Sequence, residues 1–344
     1  MTRIRIVDIA REAKVSPAAV SLVLNGKAGS HVSAPEREKV LALARKYNYR
    51  PNLSASNLRK KEQKTIGICM PASSDDGNTF MLLEQQRYLQ AHHYQSLFSF
   101  WQVPPVSHEV FEQEMKNAFE VSFSHNVNGI IAWHYYDLLK RENIPTVIFG
   151  SMLPDFDCVS PDYAGQGVMA IKLLTELGHR NLAFFGHPGL QSRLFSKVLQ
   201  ERGLPFREEW NCTLPRGDRR SPSIFTVMEM TRLLQQDERP TGIICHNERF
   251  ADAMQTAVSA FGLRIPDDIS IISMEMECRI LREQPFDTVS TDIRKNIHTT
   301  VDCLLARLED PDRPVQSIYI RPEHTVRGSC AAAPLKLEKK VVSI

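Results

Sequence analysis

The sequence predicts an α/β protein: a small all-helical unit at the N-terminus, followed by a larger body of parallel β-sheet covered by helices. Three observations predict it. Apolar positions in the first fifty residues recur at helical spacing. From Thr65 onward, short apolar runs alternate with amphipathic stretches, the rhythm of parallel sheets buried on both faces. The charge is also split. Residues 1–61 hold 13 Lys/Arg and 4 Asp/Glu, a net +9, and the remaining 283 hold 29 Lys/Arg and 36 Asp/Glu, a net −7. A cationic block on an acidic body is the footprint of a unit that sits on phosphates. A disordered tail or a membrane patch gives the same charge, but helical periodicity with few breakers argues for a folded unit.

Composition bounds the rest. A chain of 344 residues exceeds one simple core, so two or three domains are expected. With 42% hydrophobic and 24% charged residues it falls in the ordinary globular class. No apolar run approaches the ~20 residues that span a bilayer. The N-terminus runs straight into an amphipathic stretch holding Asp8 and Glu12, which is not a signal-peptide pattern. Seven scattered cysteines without C-x-x-C fit reduced thiols, and a cytoplasmic location is expected.

In the helical unit, Ile6, Ile9, Ala10 and Ala13 form one apolar stripe, and Lys14-Val15 makes a short turn. Ser16 is placed to cap a second helix that Pro17 opens, with Val20, Val23 and Leu24 inward. Two short helices joined by a tight turn make a helix-turn-helix, whose second helix enters the DNA major groove. Ser33-Ala34-Pro35-Glu36 is a capping box for a third helix, with Val40, Leu43, Ala44 and Tyr47 on one face.

Certain short motifs go further. Val7-Asp8-Ile9-Ala10, Val15-Ser16, Val20-Ser21, Val23-Leu24-Asn25-Gly26, Arg37-Glu38-Lys39-Val40 and Tyr47-Asn48-Tyr49-Arg50-Pro51-Asn52 stand in order, followed by Ala55 and Leu58. In these the chain resembles the lac-repressor (LacI/GalR) family of regulators. The resemblance implies phosphate contacts by Ser16, Ser21 and Asn25 and base reading by Pro17, Ala18 and Leu22. It adds His31, Asn52, Ala55, Leu58 and Arg59 to the DNA-contacting set. The chain departs from the family at Leu22, where many relatives have Arg, and at Ala19, where they often have Thr. Leucine cannot make the bidentate contact to guanine.

Residues 51–63 match the family's hinge. Asn52 can cap a short helix along which Leu53, Ala55 and Leu58 lie; so short a helix is mostly unfolded alone. By resemblance it folds on DNA against a partner's hinge, and Leu58 wedges into the minor groove and kinks the duplex. A plain linker leucine is the other reading. Arg59-Lys60-Lys61 adds phosphate attraction or is a solvated charge run.

In the body, residues 65–70, 94–100, 129–133, 146–150, 182–186, 242–246 and 270–274 read as strands. Residues 79–92, 108–125, 163–177, 192–202, 221–236, 247–261 and 295–308 read as helices. Val127-Asn128-Gly129-Ile130-Ile131, Leu177-Gly178-His179-Arg180 and the stretch from Gly262 to Ser270 are further family landmarks. The resemblance implies a periplasmic-binding-protein-like body of two doubly wound parallel-sheet subdomains. The expected division is a headpiece over 1–50, a hinge over 51–63 and a body over 64–330. Within the body, 64–161 plus 292–322 form one subdomain and 162–291 plus 323–330 the other. Residues 331–344 read as a loose tail.

Ligands of such folds bind at the carboxyl ends of the strands. By family position Phe80, Asn247 and Glu275 are effector contacts; Trp133 and His134 open an aromatic cluster that either meets ligand or packs beneath its loop. The family's cleft arginine falls near Gln191, with Arg193 beside it, and the usual acidic pair is replaced by Ser273-Met274-Glu275-Met276-Glu277.

No Walker A, G-x-S-x-G, H-E-x-x-H or G-x-G-x-x-G occurs, and the histidines and cysteines show no metal spacing, so no catalytic residue, metal or cofactor is expected. The expected protein is a cytoplasmic homodimeric repressor. It binds a pseudo-palindromic double-stranded operator under control of a small effector, a sugar or sugar derivative, with no membrane partner. The alternatives are a DNA-binding regulator answering to a protein partner, and a solute-binding module.

Overall fold

The computed structural model describes residues 6–24, 32–47, 64–72, 76–102, 108–133, 137–215, 218, 220–277 and 285–334. The chain divides into two units, Met1–Gln63 and Lys64–Ile344.

The first unit holds α1 (Ile6–Ala13), α2 (Pro17–Leu24) and α3 (Ala34–Lys46). The α1–α2 turn is tight because Lys14 takes φ +58°, which lets Val15 N–H donate to Ala10 O at 3.1 Å. Ser16 Oγ accepts from Ala19 N–H at 3.0 Å, the expected cap of α2. At the start of α3 the Glu36 carboxylate reaches back to Ser33 N–H at 3.1 Å and accepts from Ser33 Oγ at 2.6 Å. Ile9, Ala10, Ala13, Val20, Val23, Val32, Val40 and Ala44 form the core. Glu12 ties α1 to the end of α3, accepting from Tyr47 Oη at 2.7 Å and Lys46 Nζ at 3.1 Å. The tyrosine bond, then the lysine, hold its carboxyl below the usual range.

The second unit contains two six-stranded sheets. In chain order the strands are β1 (Thr65–Ala72), β2 (Gln95–Gln102), β3 (Gly129–Ala132), β4 (Thr146–Phe149), β5 (Asp157–Pro161), β6 (Leu182–Gly186), β7 (Asn211–Thr213), β8 (Gly242–Cys245), β9 (Ser270–Glu277), β10 (Asp287–Asp292), β11 (Ser317–Ile320) and β12 (Glu323–Thr325). The helices are α4 (Asp76–Ala91), α5 (His108–Ser124), α6 (Leu138–Glu142), α7 (Tyr163–Glu176), α8 (Leu190–Glu201), α9 (Pro222–Leu234), α10 (Glu248–Ala260) and α11 (Ile293–Glu309). The first sheet has the order β11-β5-β4-β3-β1-β2 and is parallel throughout. The second has the order β12-β10-β9-β8-β6-β7, with only β12 antiparallel. The chain therefore passes between sheets after β5, after β10 and between β11 and β12.

Strand residues alternate between two buried faces, which is why the runs are apolar throughout. Ile66, Ile68 and Met70 face the cluster that α11 joins, while Cys69 faces the one containing Phe119 of α5. In the second sheet Ala183 and Phe185 face the α9–α10 cluster, and Leu182 and Phe184 face α7 and α8.

Strands β5, β7, β10, β11 and β12 and helix α6 are not anticipated by the apolar-run reading. The physical reason is that two of these strands bury polar residues. Asp157 in β5 receives Arg307 Nε at 2.8 Å and Gln316 N–H at 2.7 Å. Asp287 in β10 accepts from the N–H groups of Arg327 at 2.8 Å, Gly328 at 2.8 Å and Ser329 at 3.0 Å. These carboxylates stay buried because their lone pairs are occupied, and they fasten the last stretches of chain to the sheets. The start of the expected loose tail is docked as well. Ala333 N–H donates to Leu177 O at 2.8 Å, and Ala331 N–H to Ser270 Oγ at 3.0 Å. Buried His179 braces this junction through Thr241 Oγ1 at 2.9 Å and Ser270 Oγ at 3.0 Å.

Candidate nucleic-acid interface and ligand cleft

Helix α2 is built by its inward face. Val20 and Val23 are buried in the three-helix core, and the opposite side is left outward. Pro17, Ala18 and the capping Ser16 are exposed, while Ser21 and Leu22 are half-buried. No charged or carboxamide side chain lies on this eight-residue helix. The unit's acids are largely engaged: Glu12 and Glu36 as above, and Asp8 at 3.6 Å from Arg11. The surplus of cations over residues 1–61, a net +9, suits a polyanion. Asn25, His31, Asn52, Ala55, Leu58 and Arg59 lie outside the described residues.

At the carboxyl end of the first sheet, Phe80 of α4 is buried, and the Arg294 guanidinium at the start of α11 sits 5.6 Å over its ring. Arg294 Nε is 3.9 Å from Glu84 Oε1, and His298 Nε2 is 2.9 Å from the same oxygen. Trp133 follows β3 directly and packs on Phe149 at 4.6 Å between ring centroids. Its buried Nε1 has no partner among the described residues. Phe80 and Trp133 belong to one apolar cluster.

At the carboxyl end of the second sheet, neighbouring strands β6 and β8 feed α8 and α10. Gln191, in the first turn of α8, is buried; its Nε2 donates to Gln166 Oε1 at 3.3 Å, and its own Oε1 has no partner among the described residues. Arg193, one turn into α8, is exposed. Asn247 caps α10, its Oδ1 accepting from Phe250 N–H at 3.4 Å. Beside it His187, His246 and Phe250 pack edge to face, with His187 5.5 Å from His246 and 5.3 Å from Phe250 between centroids. Gly186 makes this possible: a Cβ there would stand 2.6 Å from the His246 Cβ. Burial, then Arg249, lowers the His187 pKa, and burial, then His187, lowers that of His246 to about 4. Both rings are neutral at pH 7, and the buried His246 Nδ1 has no partner among the described residues. Glu275 lies on β9 with its side chain outside the description, as is His134.

Sequence reasoning did not name His187, His246, Gln166 and Arg294 individually among the candidate residues at the strand ends. A signal existed for the two histidines, since each directly follows the last apolar residue of a strand. Gln166 and Arg294 sit inside helices, where a single polar residue gives no such signal.

Burial pushes the thiols of Cys69, Cys212 and Cys330 up to about 12 and that of Cys303 to about 11. Among the described residues, no cluster of three His, Cys, Asp or Glu could hold a metal ion, and no helix is long and apolar enough to cross a membrane.

Residues 171–330 match the periplasmic binding protein-like domain. The chain is 28% identical over 287 residues to catabolite control protein A of Priestia megaterium, covering 79% of this chain and 82% of that protein. It is 25% identical to the ribose operon repressor of Haemophilus influenzae over 94% of this chain and 97% of that one. It is 27% identical to the HTH-type transcriptional repressor PurR of Erwinia tasmaniensis over 96% and 97%. Among solved structures, the lac repressor dimer bound to operator and the anti-inducer ONPF superposes with a TM-score of 0.77 at 21% identity, covering 96% of this chain and 100% of that one. The CelR–cellobiose complex gives 0.63 at 19% identity, over 95% and 100%. These two likenesses are of fold. Residues 5–52 match the lacI family of bacterial regulatory proteins, so the chain joins a lacI-family domain to a periplasmic binding protein-like domain, as its repressor relatives of similar length lead one to expect.

Proposed function

We propose that the chain is a DNA-binding transcriptional regulator, a repressor, whose hold on a pseudo-palindromic operator is set by a small molecule at the carboxyl ends of the body's strands. The observation that carries this reading is the union, in one chain, of a cationic helix-turn-helix unit and a two-sheet body. Two chains engage one operator. Ser16, Ser21 and Asn25 hold phosphates, Pro17, Ala18 and Leu22 face base edges, and His31 and Arg59 lie alongside. Asn52, Ala55 and Leu58 form the conditional hinge. The division into a headpiece over 1–50, a hinge over 51–63, and subdomains 64–161 plus 292–322 and 162–291 plus 323–330 belongs to this reading.

Phe80, Trp133, His134, Arg193, Asn247 and Glu275 contact the effector, a sugar or sugar derivative. Support comes from the aromatic and amide groups at the strand ends, from the kinship with a ribose operon repressor, and from the likeness to a cellobiose complex. Effector controls DNA only through unequal affinity for two arrangements of the subdomains; tight binding alone shifts nothing. The protein is cytoplasmic and not an enzyme, in keeping with its regulator relatives.

Calorimetry of the full chain against sugars, sugar derivatives and nucleobases, with and without a selected duplex, tests the effector half. Heat from at least one compound, with a shift in duplex affinity, is expected; silence from all of them removes the effector. A second reading, control by a protein partner, is favoured by one observation: Gln191, where the family arginine is expected, is buried and hydrogen-bonded to Gln166.

A further inference from the structure

We propose that the outward side of α2 reads its half-site through thymine methyl groups, with Leu22 as the specificity-determining residue. The inference rests on the DNA-binding reading above. In a helix-turn-helix the second helix lies in the major groove with its N-terminal residues against the base edges. Here Val20 and Val23 are committed to the core, which leaves Pro17 and Ala18 exposed and Ser21 and Leu22 half-exposed, one edge of Leu22 resting on the core. Two bidentate pairs read purines. Guanine takes a guanidinium or an ammonium, and adenine takes a carboxamide. Cytosine is read by a carboxylate. None of these groups occurs between Pro17 and Leu24.

One group displayed in the major groove is apolar, the C5 methyl of thymine. The Leu22 side chain and the Ala18 methyl are its chemical complements. Ser21 does not discriminate, because a hydroxyl both donates and accepts. Ser16 Oγ is committed to the Ala19 N–H at 3.0 Å. The occupant of this apolar face is a duplex rather than a protein because the unit around it carries a net +9 over 61 residues. Phosphates then supply most of the affinity, while methyl contacts and duplex shape supply the discrimination along this helix.

The test uses the full-length protein and a duplex that it selects from random sequence. Each half-site thymine is replaced in turn by deoxyuridine, which deletes the methyl and nothing else. A loss of about 4-fold at one or two thymines per half-site is expected, the worth of one buried methyl. Leu22→Ala is then expected to bind thymine and uracil equally at one of those positions. If Leu22 mattered only for packing, the variant would lose affinity but keep the thymine-over-uracil ratio. Leu22→Arg is expected to move the preferred base there from thymine to guanine. Uracil tolerated at every half-site position by the unaltered protein, or an unchanged ratio in Leu22→Ala, overturns the inference and leaves DNA binding intact. A chain that enriches no duplex at all overturns both.

Discussion

Among the described residues, eight buried aliphatic side chains, none larger than isoleucine, form the core of the helical unit, whereas the body buries Trp210, Phe119, Phe184, Phe185, Phe250 and Phe286 and has four clusters. The charges differ as sharply, with +9 on the first 61 residues and −7 on the rest. A unit with so little interior has little stability in reserve, and its crowded cations repel one another until a polyanion neutralises them. The body has the opposite design. Its interior is large, the buried carboxylates of Asp157 and Asp287 are engaged, and among the described residues Trp133, Gln191 and His246 carry buried polar atoms without partners near the carboxyl ends of strands. The small unit is built to be completed by something outside it, and the large one to be a scaffold around a site.

The widest separation between the two comes from a core charge. Val20→Asp is expected to unfold the helical unit, since an unpaired carboxylate would enter an aliphatic core. Duplex binding should vanish while the main thermal transition of the body, followed by circular dichroism, stays in place. Loss of that transition as well would mean the units are not energetically separate.

Salt acts next most strongly. Raising it from 50 to 200 mM is expected to weaken duplex binding by about 10³-fold if six phosphates are neutralised. A flat response in fluorescence anisotropy would remove the electrostatic role of the cationic unit.

A smaller loss, about 10-fold or more from a wedge worth a few kcal/mol, is expected for Leu58→Ala, with the body folded and its association unchanged. Unaltered affinity would make Leu58 a plain linker residue.

Acid probes the body. His246 is depressed to about 4 and His179 and His187 are lowered, all chiefly by burial. The unfolded chain therefore takes up these protons first as pH falls. Stability is full above about pH 6.5, the ordinary histidine value, and declines on the way down towards 4. Thermal melts between pH 7.5 and 5 should show a steady fall, partly flattened in His246→Phe. A pH-independent melting temperature would contradict the buried, neutral state of these rings.

What the sequence shows plainly follows from burial. β1, β6 and β8 are legible because strands covered on both faces must be apolar at every position, as Ile66 to Met70 and Leu182 to Gly186 are. α2 is legible because Ser16, Pro17 and the Val20/Val23 spacing mark its cap, first turn and inner face. β5 and β10 are not, because Asp157 and Asp287 replace greasy residues with carboxylates whose partners lie 150 and 40 residues away, at Arg307 and Arg327. The cleft is half legible. Phe80 and Asn247 could be named from family position and Trp133 from its place at a strand end, but the neutrality of His187 and His246 depends on a close approach allowed by Gly186. Pattern along the chain carries no trace of such an approach.

The most direct test of the account is enrichment of duplexes from a random pool by the full-length protein at moderate salt. The account predicts a single motif with two inverted half-sites about one helical turn apart, centre to centre, bound far better than scrambled competitor. Recovery of sequences no better bound than the starting pool would contradict it.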